Sequence, residues 1–70
     1  KKKKHNILTA REQDVLHCIA EGLRNKEIAD KLFISEETIK KHMYNMFQKL
    51  HVKNRLSLVT KARELGILNE

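Results

Sequence analysis

The stretch Asn25-Lys26-Glu27-Ile28-Ala29-Asp30-Lys31-Leu32-Phe33-Ile34-Ser35-Glu36-Glu37-Thr38-Ile39-Lys40-Lys41-His42-Met43-Tyr44 decides the fold. Ile28, Ala29 and Leu32 recur at i, i+1 and i+4 and form the buried stripe of a short helix, with Asn25 in place as its N-cap. Ser35 is a second N-cap. Glu36 and Glu37 follow it in the first turn of the next helix, where the helix dipole favours negative charge. Two helices joined by a turn this tight must cross closely, which requires a small residue in the first; Ala29 supplies it. Ile34 is the apolar plug of the turn, and Ile39 faces back onto the first helix. The pattern is a helix-turn-helix. Phe33 is its one departure. Many such motifs place glycine four residues after the alanine, so Phe33 predicts a turn that differs from the commonest form.

Outward from this unit, the second helix runs from about Glu36 to Leu50. Ile39, Met43, Met46, Phe47 and Leu50 fall on one arc at about 100° per residue. Glu37, Lys40, Lys41, Tyr44 and Gln48 fall opposite. Upstream, Thr9-Ala10-Arg11-Glu12 is a capping box that opens a helix with Val15, Leu16, Ile19 and Ala20 inward. Gly22 stops that helix with a left-handed residue. Ile7 and Leu8, before the cap, are expected on the core. Downstream, Asn54 caps a last helix with Leu58, Val59, Ala62 and Leu65 inward. Gly66 ends it, and Ile67 and Leu68 close back on it as in a Schellman stop.

Composition agrees with four helices. The 70 residues hold no proline, two glycines and 18 Leu, Ile and Val, too many apolar residues for a disordered chain. Such a length permits one modest core. The predicted fold is all-α, a compact four-helix bundle containing a helix-turn-helix, with residues 1–6 a basic linker or tail and 7–70 the folded domain. One cysteine gives no internal disulfide. No apolar run approaches the roughly 18–20 residues of a membrane span, and no signal peptide is evident. The expectation is a module of a cytoplasmic protein, with no membrane association, cut from a longer chain.

The net charge of +6 is unevenly spread. Lys1 to Lys4 contribute +4, residues 5–37 sum to −3, and residues 38–70 sum to +5, with no acidic residue between Thr38 and Arg63. The lysine run has the composition of a solvated linker. The acid-free second half belongs to folded surface and predicts a polyanionic partner, double-stranded DNA, met in the major groove by the exposed face of helix 36–50.

The sequence resembles the LuxR-type DNA-binding domain over about residues 8–68. The resemblance is carried by Leu8-Thr9-Ala10-Arg11-Glu12, Val15-Leu16, Glu21-Gly22-Leu23 and Asn25-Lys26-Glu27-Ile28-Ala29. It continues through Leu32-Phe33-Ile34-Ser35, Glu37-Thr38-Ile39-Lys40-Lys41-His42 and Lys49-Leu50-His51-Val52-Lys53-Asn54-Arg55. It implies a four-helix module that usually ends a bacterial transcription regulator. In front of it there is very often the phosphorylatable receiver of a two-component response regulator, or another sensor domain.

The resemblance and the helical wheel agree on base readers at Lys40, Lys41 and Tyr44. Lysine can donate to guanine O6 and N7, and tyrosine can donate to an acceptor or pack on a thymine methyl. Tyr44 departs from relatives that carry a longer basic residue there. Candidates for phosphate contact are Lys26, Ser35, Thr38, Asn45 and Lys53. On the last helix Leu56 points away from the inward residues, with Thr60 and Arg63 on its side. The resemblance implies a weak two-fold dimer contact there.

The four histidines have no i, i+4 pairing, so neither a metal site nor a cofactor is expected. Cys18 has the setting of a small core hydrophobe, and His42 that of a core brace. Arg55 and Glu12 are candidates for a partly buried ion pair. A promoter-reading sigma-factor-like module shares the helix-turn-helix but not the last-helix pattern. A helical protein-interaction module would expose an apolar stripe, and only Leu56 offers one. An enzyme is disfavoured because no nucleophile–base pair, apolar carboxylate pair or phosphate-cradling loop is present, and no catalytic residue is assigned.

Overall fold

The computed structural model describes residues 7–68. Its elements are α1 (Ala10–Ala20), α2 (Asn25–Leu32), α3 (Glu36–Leu50) and α4 (Arg55–Glu64), with no strand among the described residues. Helix α3 is the longest and packs against all three others, while α2 and α4 do not pack on each other. Leu16, Ile28, Ile39, Met46, Leu50 and Leu58 are fully enclosed at the centre, so every helix contributes to one core. The described part is therefore the expected all-α bundle. Residues 1–6, assigned to the basic tail, lie outside the described residues, as do 69 and 70.

Each helix starts at a predicted polar cap, with one shift. Thr9 and Glu12 close the capping box reciprocally, at 3.1 Å from the Glu12 amide to Thr9 Oγ1 and 3.0 Å from the Thr9 amide to Glu12 Oε1. Ser35 and Asn54 accept from the amides of Thr38 and Ser57. For α2 the N-cap is Arg24, not Asn25. The Arg24 amide is satisfied from inside the helix, by Glu27 Oε1 at 2.7 Å. Asn25 becomes the first helical residue, and its side chain is engaged elsewhere.

All four helices end on a left-handed residue. Gly22 and Gly66 provide it after α1 and α4. There the amides of Leu23 and Ile67 reach back to the carbonyls of Cys18 and Ala62, the long bond of a Schellman stop. Phe33 and His51 provide it after α2 and α3, at φ of 58° and 57°. The expectation of a different turn at Phe33 is thus overturned. The turn keeps the left-handed geometry of a glycine-containing form, with the Ile34 amide bonded to the Ala29 carbonyl at 3.0 Å. Seating Ile34 against the core dictates that backbone path, and Phe33 adopts it against its own steric preference. Two further expectations fail at the edges. Ile7 and Leu65 are half-exposed: Ile7 lies one residue before buried Leu8, and Leu65 follows the end of α4, where Ile67 and Leu68 make the core contact instead.

Candidate nucleic-acid interface

Helix α3 presents Lys40, Lys41 and Tyr44 to solvent, Tyr44 with 61% of its surface exposed. Behind them Ile39, Met43, Met46 and Leu50 are buried, so the core fixes the rotation of α3 about its axis. At about 100° per residue, Lys40, Tyr44 and Lys41 span the outer face within roughly 100° of one another. Thr38 and Asn45, both half-buried, flank this arc beyond Lys41. Phe47, also half-buried, flanks it beyond Lys40, where a cleft of about 250 Å³ is lined by Asn25, Lys40, Met43, Tyr44 and Phe47. That cleft opens beside the N-terminus of α2, which carries exposed Lys26.

The distribution of ion pairs separates two kinds of lysine. Lys31 pairs with Glu21 at 3.3 Å and Lys49 with Glu12 at 2.6 Å. Lys26, Lys40, Lys41 and Lys53 have no carboxylate partner among the described residues, and all four are exposed. Lys61 on α4 is likewise without one among the described residues, and unpaired ammonium groups at the surface are free to meet an external polyanion.

Ser35 and Thr38 are joined at the start of α3. Ser35 Oγ accepts from the Thr38 amide at 3.1 Å and lies 3.0 Å from Thr38 Oγ1. Two hydroxyls carry two hydrogens, and their mutual bond uses one. The other can be donated to an oxyanion at a helix N-terminus, where the dipole also favours negative charge.

On α4, Leu56 is 78% exposed, with Thr60 and Arg63 also at the surface. It stands between two clefts, one lined by Val52, Leu56, Ser57, Thr60, Lys61 and Glu64, the other by Ile19, Ala20, Arg55, Leu56, Val59 and Arg63.

The expected Arg55–Glu12 pair does not form. Glu12, 3% exposed, is held by Lys49 and the Thr9 amide. Burial raises its carboxyl, but the hydrogen bonds from Lys49 and Thr9 and the charges of Lys49 and His42 outweigh it and hold the group below the usual carboxylate range. Arg55 instead donates to the Leu23 carbonyl at 2.7 Å and to Asn25 Oδ1 at 2.8 Å, and reaches Met43 Sδ at 3.9 Å. Sequence reasoning missed this set because Arg55 and its partners are 12 to 32 residues apart. Cys18 is buried at the core edge, and burial pushes its thiol up. No group of three His, Cys, Asp or Glu converges on a metal-sized site among the described residues. No described helix is long and apolar enough to cross a membrane.

A short helix, a tight turn and a core-anchored second helix with a lysine-rich outer face define a helix-turn-helix DNA-binding domain. The family of bacterial regulatory proteins known as luxR, or GerE, matches residues 6–62, and the chain belongs to that family. It is the DNA-binding domain of a transcriptional regulator rather than an enzyme. It is 48% identical over 58 residues to the CsgBAC operon transcriptional regulatory protein of Escherichia coli, covering 83% of this chain and 27% of that protein. It is 52% identical over 52 residues to the nitrate/nitrite response regulator protein NarP of Escherichia coli, covering 74% of this chain and 24% of that protein. The solved structure of the transcription factor GerE superposes with a TM-score of 0.87 at 32% identity, covering 93% of this chain and 97% of that one. The chain spans about a quarter of the length of the two Escherichia coli regulators.

Proposed function

We propose that residues 7–70 form the effector domain of a bacterial transcription regulator and that α3 reads base edges in the major groove through Lys40, Lys41 and Tyr44. The single observation that carries this is the outer face of α3. Its lysines are exposed and make no ion pair with a carboxylate among the described residues, on a helix whose rotation the core fixes. Phosphate contacts come from two flanks. Ser35, Thr38 and Asn45 lie on one, and Lys26 lies at the start of α2 on the other, with Lys53 two residues before Arg55. These contacts position the domain and supply most of the salt-dependent affinity.

Two copies pair weakly through α4 about Leu56, Thr60 and Arg63, so that two half-sites are read together. Support for this comes from an exposed leucine set between two clefts that a second leucine can enter. Similarity to NarP, itself named a response regulator, favours a receiver or sensor domain in front, with residues 1–6 as the link. The regulator works in the cytoplasm, where the bacterial chromosome lies.

The test is a binding selection from a random duplex library with the 70-residue chain, followed by salt titration on the selected site. A defined motif with an inverted repeat, and a negative salt slope that persists when residues 1–4 are deleted, is expected. Enrichment of no motif, or loss of all salt dependence with the tail, overturns the reading.

A further inference from the structure

Arg55 has an unusual set of partners for a half-buried cation. Its acceptors are the Leu23 carbonyl, Asn25 Oδ1 and Met43 Sδ, all neutral. It is the first residue of α4, where the helix dipole disfavours positive charge. The buried carboxylate that would balance it, Glu12, is taken by Lys49. Electrostatics alone therefore gives little reason for a guanidinium here. Geometry gives a clear one. The guanidinium is a rigid planar fork that can hold several acceptors in fixed directions at once. Here it joins three parts of the fold: the link between α1 and α2, the first residue of α2, and the middle of α3.

Two of those helices, α2 and α4, share no packing. The 2.8 Å bond from Arg55 to Asn25 spans directly between them. Asn25 precedes Lys26, Met43 precedes Tyr44 and lies one turn after Lys40, and Arg55 precedes Leu56. One side chain thus ties the groups assigned to phosphate and base to the group assigned to pairing. In a two-fold dimer on DNA, the angle between reading helix and pairing helix sets the distance between half-sites.

We propose that Arg55 is a positioning residue that fixes α4 relative to the helix-turn-helix and thereby sets the half-site spacing that a pair of these chains accepts. The inference rests on the reading of α3 as base reader and α4 as pairing helix. Its experiment uses the selected site as one half-site, as two half-sites at their preferred spacing, and as two half-sites with the spacer changed by one base pair. Wild type, Arg55→Gln and Asn25→Ala are titrated on all three. Asn25→Ala removes one Arg55 acceptor from the first turn of α2 and keeps the test open if Arg55→Gln folds poorly.

Single half-site affinity is expected to fall less than about threefold in both variants. Discrimination against the altered spacer falls at least fivefold in Arg55→Gln and less, in the same direction, in Asn25→Ala. The double variant adds little to Arg55→Gln, because both remove the same tie. Proportional losses on all three duplexes, with spacer discrimination intact, would mean a purely structural arginine and overturn the inference alone. Wild type that shows no spacing preference overturns the pairing reading and this inference together.

Discussion

Phe33→Gly is expected to stabilise the domain, although it deletes an aromatic side chain. Phe33 lies in the left-handed region at φ 58° and ψ 43°, and 93% of its surface is exposed. The left-handed conformation costs an L-residue about 1–2 kcal/mol, which glycine does not incur. Against this, glycine loses more backbone entropy on folding, about 0.5–1 kcal/mol. Almost no packing is forfeited, because the side chain is in water. The net gain is about 0.5–1 kcal/mol, or a rise of roughly 2–8 °C in Tm for a domain of this size. Phe33→Ala separates backbone from side chain. Alanine keeps the strain and removes the ring, so its Tm should stay within about 0.5 kcal/mol of wild type. Thermal unfolding followed by circular dichroism at 222 nm measures all three. A Phe33→Gly protein no more stable than Phe33→Ala would refute the reasoning, since the backbone would then carry no strain for glycine to relieve.

Other outcomes follow from the same structure. Glu12, held below its usual range, contributes stability that is fully present above its unfolded value and is lost as pH falls through its folded value. Glu12→Gln should flatten the decline in Tm below about pH 4.5 and cost about 1–2 kcal/mol at pH 7, where Lys49 loses its partner; parallel pH profiles for variant and wild type would contradict this. Leu56→Asp should leave Tm within about 0.5 kcal/mol, because the side chain is exposed, and weaken binding to a two-half-site duplex without changing single half-site affinity. An unchanged titration on the longer duplex counts against pairing through α4.

The local parts of this fold were legible because their signals are local. Thr9 with Glu12, Ser35 and Asn54 sit within a turn of the amides they cap, and the inward arc of α3 follows from period alone. The misreadings have longer reach. Asn25 is an intrinsically good cap, yet a glutamate two residues on draws the helix start back to Arg24, while an arginine 30 residues away takes the Asn25 side chain. Arg55 is the partner the sequence suggests for Glu12, but Lys49 takes that place. The packing of α3 on α1 chose Lys49, and no residue pattern near Glu12 encodes that choice. Phe33 shows the reverse case, a local preference overruled because Ile34 must reach the core. The base-reading face needed only the wheel and the charges, whereas the tie between Asn25, Met43 and Arg55 required three helices to be in place.

The central claim is that α3 reads bases rather than merely attracting phosphate. Lys40→Ala and Lys41→Ala, titrated on the selected site and on random duplex of equal length at one salt concentration, test it most directly. Each should lose about 1–3 kcal/mol on the selected site, roughly 5- to 150-fold, and under about threefold on random DNA. Equal losses on both duplexes would make the two lysines phosphate contacts and contradict the account.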